Sequence, residues 1–101
     1  MYDILKLFLM AGNYENRAID RFENDNFVID TCYVTDREPP YETAIKHKDF
    51  YNNNWIVLGW SETREKAQKY HNEMVDYYLS NDVDIIIDAF TGISYYKGGD
   101  K

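Results

Sequence analysis

The chain contains two histidines, His47 and His71, which are the side chains best suited to acid–base chemistry or metal binding near neutral pH. If a helix carrying His71 packs across a strand that ends at His47, both imidazoles approach Glu42 or Asp49 and form a zinc-type ligand set. The alternative is a buried His71 bonded to a backbone carbonyl and a surface His47. No close histidine pair and no Cys-x-x-Cys motif supports a metal, so we predict no metal or other cofactor.

The single cysteine, Cys32, is the other candidate for chemistry, as a nucleophile paired with a histidine. A reactive thiol needs partial exposure and electropositive surroundings. Cys32 instead lies in an alternating apolar run between Asp30 and Asp36, whose carboxylates disfavour a thiolate. We therefore interpret Cys32 as an inert, buried thiol and predict that the protein is not an enzyme. One cysteine also excludes a disulfide within the chain.

The charge balance constrains the partners of the protein. The 18 acidic residues outnumber the 11 Lys and Arg residues, which gives a net charge of −7. Because the basic residues are scattered, direct binding to nucleic acid is disfavoured, and a protein partner with a basic surface is favoured. The alternative is an acidic surface that serves solubility alone. If a binding surface exists, we expect it to combine acidic and aromatic side chains, namely Asp20, Asp25, Asp36, Glu38, Glu42, Tyr41 and Tyr51.

Aromatic residues make up 17% of the chain, including ten tyrosines, which exceeds the needs of so small a core. The excess predicts a homodimer or a partner surface. It also allows a different function, in which rings stack a nucleobase and arginines hold its phosphate, so that the protein sequesters a cyclic signalling nucleotide. The candidate ligand-binding residues in that case are Arg17, Arg21, Arg37, Trp55 and Trp60. No glycine-rich phosphate loop accompanies them.

The elements that must position these residues follow from the pattern of the 101 residues, which predicts one domain with a loose polar tail at 97–101. β-Branched and aromatic runs predict four strands, and the three–four spacing of apolar residues predicts a helix. The strands are Ala18–Glu23, Phe27–Val34, Tyr41–His47 and Trp55–Trp60, and the helix is Thr63–Leu79.

The predicted fold class is therefore α+β: a small antiparallel sheet of about four strands packed on one main amphipathic helix. A short N-terminal helix over Ile4–Met10 is expected beside it. That stretch is too short to cross a bilayer and lacks the features of a signal peptide, so no membrane association is expected and a cytoplasmic location is predicted. After the helix, Thr91-Gly92 is either a turn between two short strands or part of a tail over the sheet edge.

Several short motifs in residues 12–80 resemble a group of small proteins carried by phages and prophages of Gram-positive bacteria. The matching segments are Asn13-Tyr14-Glu15, Ile29-Asp30-Thr31, Val34-Thr35-Asp36, Tyr41-Glu42-Thr43-Ala44, Trp55-Ile56-Val57, and a helix with Ala67 and His71. Lys66 departs from the pattern, because a glutamate is usual there. The resemblance implies a phage context and an α+β fold, and it carries no active site across.

These observations together predict a non-catalytic phage accessory protein that binds and inhibits a host component, such as an anti-phage defence system of the bacterial cytoplasm. Two alternatives stay open at this point. One is the sequestration of a signalling nucleotide, and the other is a small metal protein or enzyme that uses His47 and His71.

Overall fold

The structure, a computed structural model, describes residues 17–35 and 37–98. It contains a four-stranded antiparallel sheet in the order β1-β2-β3-β4, with one long helix across one face. The elements are β1 (Ala18–Glu23), β2 (Phe27–Tyr33), β3 (Tyr41–His47), β4 (Trp55–Ser61), α1 (Arg64–Ser80), β5 (Ile85–Ile87) and β6 (Ser94–Tyr96). The predicted α+β architecture is confirmed. The helix expected over Ile4–Met10 lies outside the described residues, as does Asp36.

The turn between β1 and β2 shows why the polar Asn-Asp-Asn sequence forms a hairpin. The side-chain oxygen of Asn24 accepts hydrogen bonds from the backbone N–H groups of Asn26 and Phe27, both at 2.8 Å. An asparagine side chain that bonds to its own backbone in this way imitates a turn. The resulting register directs Phe27, Ile29 and Thr31 towards the helix, and all three are buried.

The position of α1 depends on one cap and two small residues. The hydroxyl of Thr63 accepts a hydrogen bond from the backbone N–H of Lys66 at 3.1 Å, which starts the helix. Ala67 has no exposed surface, so its methyl group allows the helix to approach the sheet closely. A Cβ atom on Gly59 would lie 3.0 Å from the hydroxyl oxygen of Tyr70. Glycine therefore leaves room for Tyr70, which donates to the carbonyl of Leu58.

The core lies between the sheet and the helix, and β5 and β6 complete it as a separate hairpin. Its fully or almost fully buried members are Phe27, Ile29, Ile45, Phe50, Ile56 and Ile86. Ile86 enters this core from β5, and the backbone N–H of Ala89 donates to the carbonyl of Val57 at 2.8 Å. Of the two arrangements open for this segment, the structure thus shows two short paired strands, held against β4.

The C-terminal end of the described chain is tied to the rest by backbone hydrogen bonds. The N–H of Lys97 donates to the carbonyl of Asp84, and the N–H of Gly98 donates to the carbonyl of Asp49. Gly92 has a φ of +79° in the turn of the hairpin, a conformation that favours glycine. The described ranges contain no helix with the length and hydropathy that crossing a bilayer requires.

The burial pattern predicts different costs for two isoleucines. Ile45 is fully buried and Ile87 is 55% exposed. We expect Ile45→Ala to lower the free energy of unfolding by about 2 to 5 kcal/mol, because it opens a cavity in the core. The matched control Ile87→Ala should cost about 0.5 kcal/mol or less. Urea denaturation of both variants measures the difference, and equal losses would contradict the assigned core.

Candidate functional site

A chain of buried polar groups joins α1 to the sheet. The Thr31 hydroxyl oxygen lies 2.9 Å from Nδ1 of His71 and 2.8 Å from the hydroxyl oxygen of Thr43. On the other side of the imidazole, Nε2 of His71 lies 3.7 Å from a carboxylate oxygen of Asp20. The sequence indicated that His71 could be buried against a backbone carbonyl. In the structure, the hydrogen-bond partner of His71 is the hydroxyl of Thr31 and not a backbone carbonyl.

Hydrogen bonds hold the carboxylate of Asp20 beside this histidine. It accepts from the side-chain amide of Gln68 at 2.7 Å and from the backbone N–H of Arg21 at 2.8 Å. Burial raises the pKa of Asp20, but these two hydrogen bonds and the nearby imidazole outweigh burial and lower the pKa overall. Asp20 is therefore charged at neutral pH.

The surroundings of His71 keep its imidazole neutral. Burial lowers its pKa below the ordinary value, although the carboxylates of Asp20 and Asp30 oppose that shift. A neutral imidazole has one N–H group, and the charge of Asp20 favours the proton on Nε2. Nδ1 is then the acceptor of the Thr31 hydroxyl hydrogen.

The Thr31 hydroxyl, the His71 imidazole and the Asp20 carboxylate lie in the same order as the groups of a catalytic triad. Here, however, Thr31 and Thr43 have no exposed surface and His71 is 2% exposed. A substrate cannot reach the Thr31 oxygen in this structure, so the network cannot activate it as a nucleophile. An open cleft of about 370 Å³ adjoins the network and is lined by Asp20, Arg21, Phe22, His71, Asn72, Val75 and Asp76.

The two histidines occupy different parts of the molecule. Thr31 pairs with Thr43 and Phe27 pairs with His47 in the register of β2 and β3, which places the two sites four residue steps apart along the strands. At about 3.3 Å per residue this is about 13 Å. His47 stacks on Phe27 with a ring-centroid distance of 5.9 Å. Residues 17–35 and 37–98 contain no group of three or more His, Cys, Asp or Glu side chains placed to hold a metal ion.

Cys32 and His71 also lie apart. Cys32 follows Thr31 in β2, so its side chain points to the opposite face of the sheet from α1. It is half-buried there, whereas the sequence predicted a buried thiol. The pairing of a thiol with an imidazole, considered from the sequence, does not occur between these two residues.

The predicted acidic and aromatic binding residues are distributed over both ends of the sheet. Asp25 lies in the β1–β2 turn, at the end where Phe27 pairs with His47, while Tyr41 and Glu42 start β3 at the other end. The two ends are about 20 Å apart, since six residue steps separate them. Glu38 precedes Tyr41 in the loop, and Asp20 belongs to the His71 network.

Tyr51 is the last of these predicted residues. It follows Phe50 near the His47 end of β3 and has a φ of +52°, which is uncommon for a residue with a large side chain. Its ring stacks on the ring of Tyr95 at a centroid distance of 4.1 Å. Tyr51 therefore helps to attach β6 to the sheet.

Of the five predicted ligand-binding residues, the structure brings two together. The guanidinium carbon of Arg37 lies 3.9 Å from the ring centroid of Trp60. Arg21 instead pairs with Asp30 at 3.0 Å, and Trp55 lies beneath Lys46, whose amino nitrogen is 5.9 Å from the ring centroid. Arg17 stands at the start of the described chain, immediately before β1.

An exposed apolar surface on the β5–β6 hairpin was not predicted from the sequence. Five of the eight large hydrophobic residues exposed in the described chain lie on it: Ile85 (39%), Ile87 (55%), Phe90 (57%), Ile93 (50%) and Tyr96 (60%). We call these five residues the apolar hairpin surface. The sequence contains the run Ile85-Ile86-Ile87, for which the pattern led to no prediction of burial. The shortness of this run was the sequence signal for the exposed surface. In a strand of three residues, alternation buries Ile86 and turns Ile85 and Ile87 outward.

Comparison with known proteins identifies no relative of this chain: no family model, curated protein or solved structure matches it. The resemblance to phage proteins thus remains a prediction that depends on the motif residues. Four of those residues have a structural explanation, because Thr31, Thr43 and His71 form the buried network and Ala67 lies at the closest approach of helix and sheet.

The network predicts that acid destabilises the protein. Since the pKa of His71 is lower in the folded state than the ordinary 6.5, the unfolded chain binds a proton first as the pH falls. The stability is complete above pH 6.5, declines below it, and levels off below the folded pKa. His71 contributes at most about 1.4 kcal/mol per pH unit to this slope. Urea denaturation between pH 7.5 and 5 measures it.

His71→Asn should reduce the slope of stability against pH in that window, whatever its effect on stability at pH 7.5. Burial also lowers the pKa of His47, so His47→Asn serves as the second variant, and the double variant should lose most of the slope. Asp20 does not interfere, because its ordinary pKa of 3.8 lies below the window and is lowered further. An unchanged slope in both single variants and the double variant would contradict the assignment.

Proposed function

We propose that this chain is a non-catalytic binding protein that attaches to a protein partner through the apolar hairpin surface. In line with the resemblance, the partner is a host component of the bacterial cytoplasm, and binding inhibits it as part of a phage's action against bacterial defence. The one observation that carries the proposal is the concentration of exposed hydrophobic residues on a single short hairpin. Such a concentration typically marks an interaction site, whereas isolated exposed hydrophobics do not.

The geometry of the hairpin supports its use in binding. Ile85 pairs with Tyr96 across β5 and β6, so their side chains share the outward face with Ile87. On the inward face, Ile86 is buried in the core and Tyr95 stacks on Tyr51. The strands that carry the outward side chains are therefore held in place by the packing of their inward side chains. This limits the conformational entropy that the hairpin loses on binding.

The charge around the apolar hairpin surface indicates the chemistry of the partner. Of the three aspartates in residues 82–98, Asp88 is buried and Asp82 pairs with Lys97 at 2.6 Å. Asp84 is exposed beside β5. Two copies of this chain, each with a net charge of −7, repel each other over their whole surfaces. We therefore propose a different protein, with an apolar patch surrounded by basic residues.

Capture of a partner from the lysate of a Gram-positive bacterium tests this function. The wild-type chain should retain a specific protein, and Ile87→Ser combined with Ile93→Ser should weaken its retention about tenfold or more, because each isoleucine loses apolar area buried in the complex. Serine avoids adding a charge that a basic rim could attract or repel. Isolated wild-type and variant complexes can then be compared by calorimetry.

Leu79→Ser combined with Tyr77→Ser is the matched control, since these residues are 53% and 46% exposed on α1 and not on the hairpin. The control should bind like the wild type. Equal retention by the hairpin variant and the control would show that the hairpin is not the binding surface. Sedimentation of the pure wild-type protein tests the predicted homodimer in the same preparation.

A further inference from the structure

The guanidinium of Arg37 lies close to two aromatic rings at the border of the apolar hairpin surface. Its guanidinium carbon lies 3.9 Å from the ring centroid of Trp60 and 5.4 Å from that of Phe90. The indole N–H of Trp60 donates to Glu42 at 3.2 Å, which fixes the ring beneath the guanidinium. The loop that carries Arg37 is closed by a backbone hydrogen bond from Val34 to Pro40. The guanidinium is thus positioned beside the hairpin in the free protein.

The hydrogen-bond donors of this guanidinium have no acceptor in the described ranges. Its Nε atom is buried and unpaired, whereas neither terminal nitrogen is among the buried unpaired atoms. By contrast, Arg21 pairs with Asp30 at 3.0 Å and Lys97 pairs with Asp82 at 2.6 Å. Other cations of the described chain, such as Lys46 and Arg64, also form no ion pair, and what distinguishes Arg37 is its buried Nε–H group. A buried donor without an acceptor is costly.

We infer that Arg37 is the binding site for a carboxylate of the protein partner, with both terminal nitrogens donating to its two oxygens. This inference depends on the proposed function for the source of the carboxylate. Phe90 belongs to the apolar hairpin surface and also contacts Arg37, so a partner seated on the hairpin reaches the guanidinium. Arg37 then fixes the orientation of the partner, as paired donors to a carboxylate do.

A carboxylate fits the site better than a phosphate. Arg37 supplies one positive charge, and the nearest comparable cation on an aromatic ring, Lys46 over Trp55, lies four residues farther along β3 from the Glu42–Trp60 pair. The single charge of Arg37 neutralises one carboxylate. A doubly charged phosphate would retain one negative charge, which a chain of net charge −7 repels. The planar guanidinium also matches the planar carboxylate.

The first test uses sodium acetate as a probe of the free protein. The Nε–H signals of the arginine side chains are followed by proton–nitrogen NMR, with sodium chloride at the same ionic strength as the reference. The Arg37 signal, identified by its loss in Arg37→Lys, should shift in a saturable way. The Arg21 signal should shift less, because its guanidinium is already paired with Asp30. Inorganic phosphate at equal concentration should give a smaller response at Arg37.

Two results would overturn the site. One is an Arg37 signal that responds to acetate no more than Arg21 does. The other is a response to phosphate equal to or larger than the response to acetate, which would assign the site to phosphate groups. Neither result depends on the apolar hairpin surface, so neither bears on the proposed function.

The second test uses the captured partner. Arg37→Lys keeps the charge but loses the planar pair of donors, and it should weaken binding about tenfold. Lys46→Gln is the matched control, as it removes the other cation that lies over a tryptophan, and it should change binding little. If both variants bind like the wild type while the hairpin variant does not, the carboxylate site is wrong and the proposed function stands. If no partner is captured but acetate binds at Arg37, the proposed function fails and the anion site stands.

Discussion

The hydrogen bond between the buried imidazole of His71 and the hydroxyl of Thr31 is the interaction on which the arrangement of helix and sheet depends. It links α1 to β2 at 2.9 Å, and Thr43 extends the link to β3 at 2.8 Å. Polar groups in a dry interface are costly unless all are paired. The helix therefore has one favourable position on the sheet, and the small side chain of Ala67, one turn earlier, allows it to reach that position.

This constraint also determines where chemistry is possible. His71 and Thr31, whose side chains are best suited to catalysis, instead hold the helix on the sheet. Because both are buried, a substrate cannot reach the Thr31 oxygen. His47 is engaged with Phe27 and Phe50 at the far end of the sheet. The accessible side chains include the apolar hairpin surface and Arg37, on which the proposed binding function depends.

The apolar hairpin surface and Arg37 are products of the same packing. Ile86 completes the core, and strand alternation then forces Ile85 and Ile87 outward. The attachment of Ala89 to Val57 holds the hairpin beside β4, which brings Phe90 to Trp60. Arg37 reaches the same ring from the loop before β3. The proposed binding surface thus combines three separate segments of sequence, which meet at the ring of Trp60.

The sequence by itself predicted the four strands of the sheet and the helix over Thr63–Leu79 from local patterns. The Asn24 turn and the Thr63 cap likewise form within a few residues of chain. It also indicated that His71 lies on the apolar side of the helix. It did not determine which acidic and aromatic residues meet, since Asp25 and Tyr41 proved to be at opposite ends of the sheet. Only the tertiary structure decided that Thr31 is the partner of His71 and that Ile87 faces solvent, because contacts between distant segments depend on register and packing, which local periodicity does not encode.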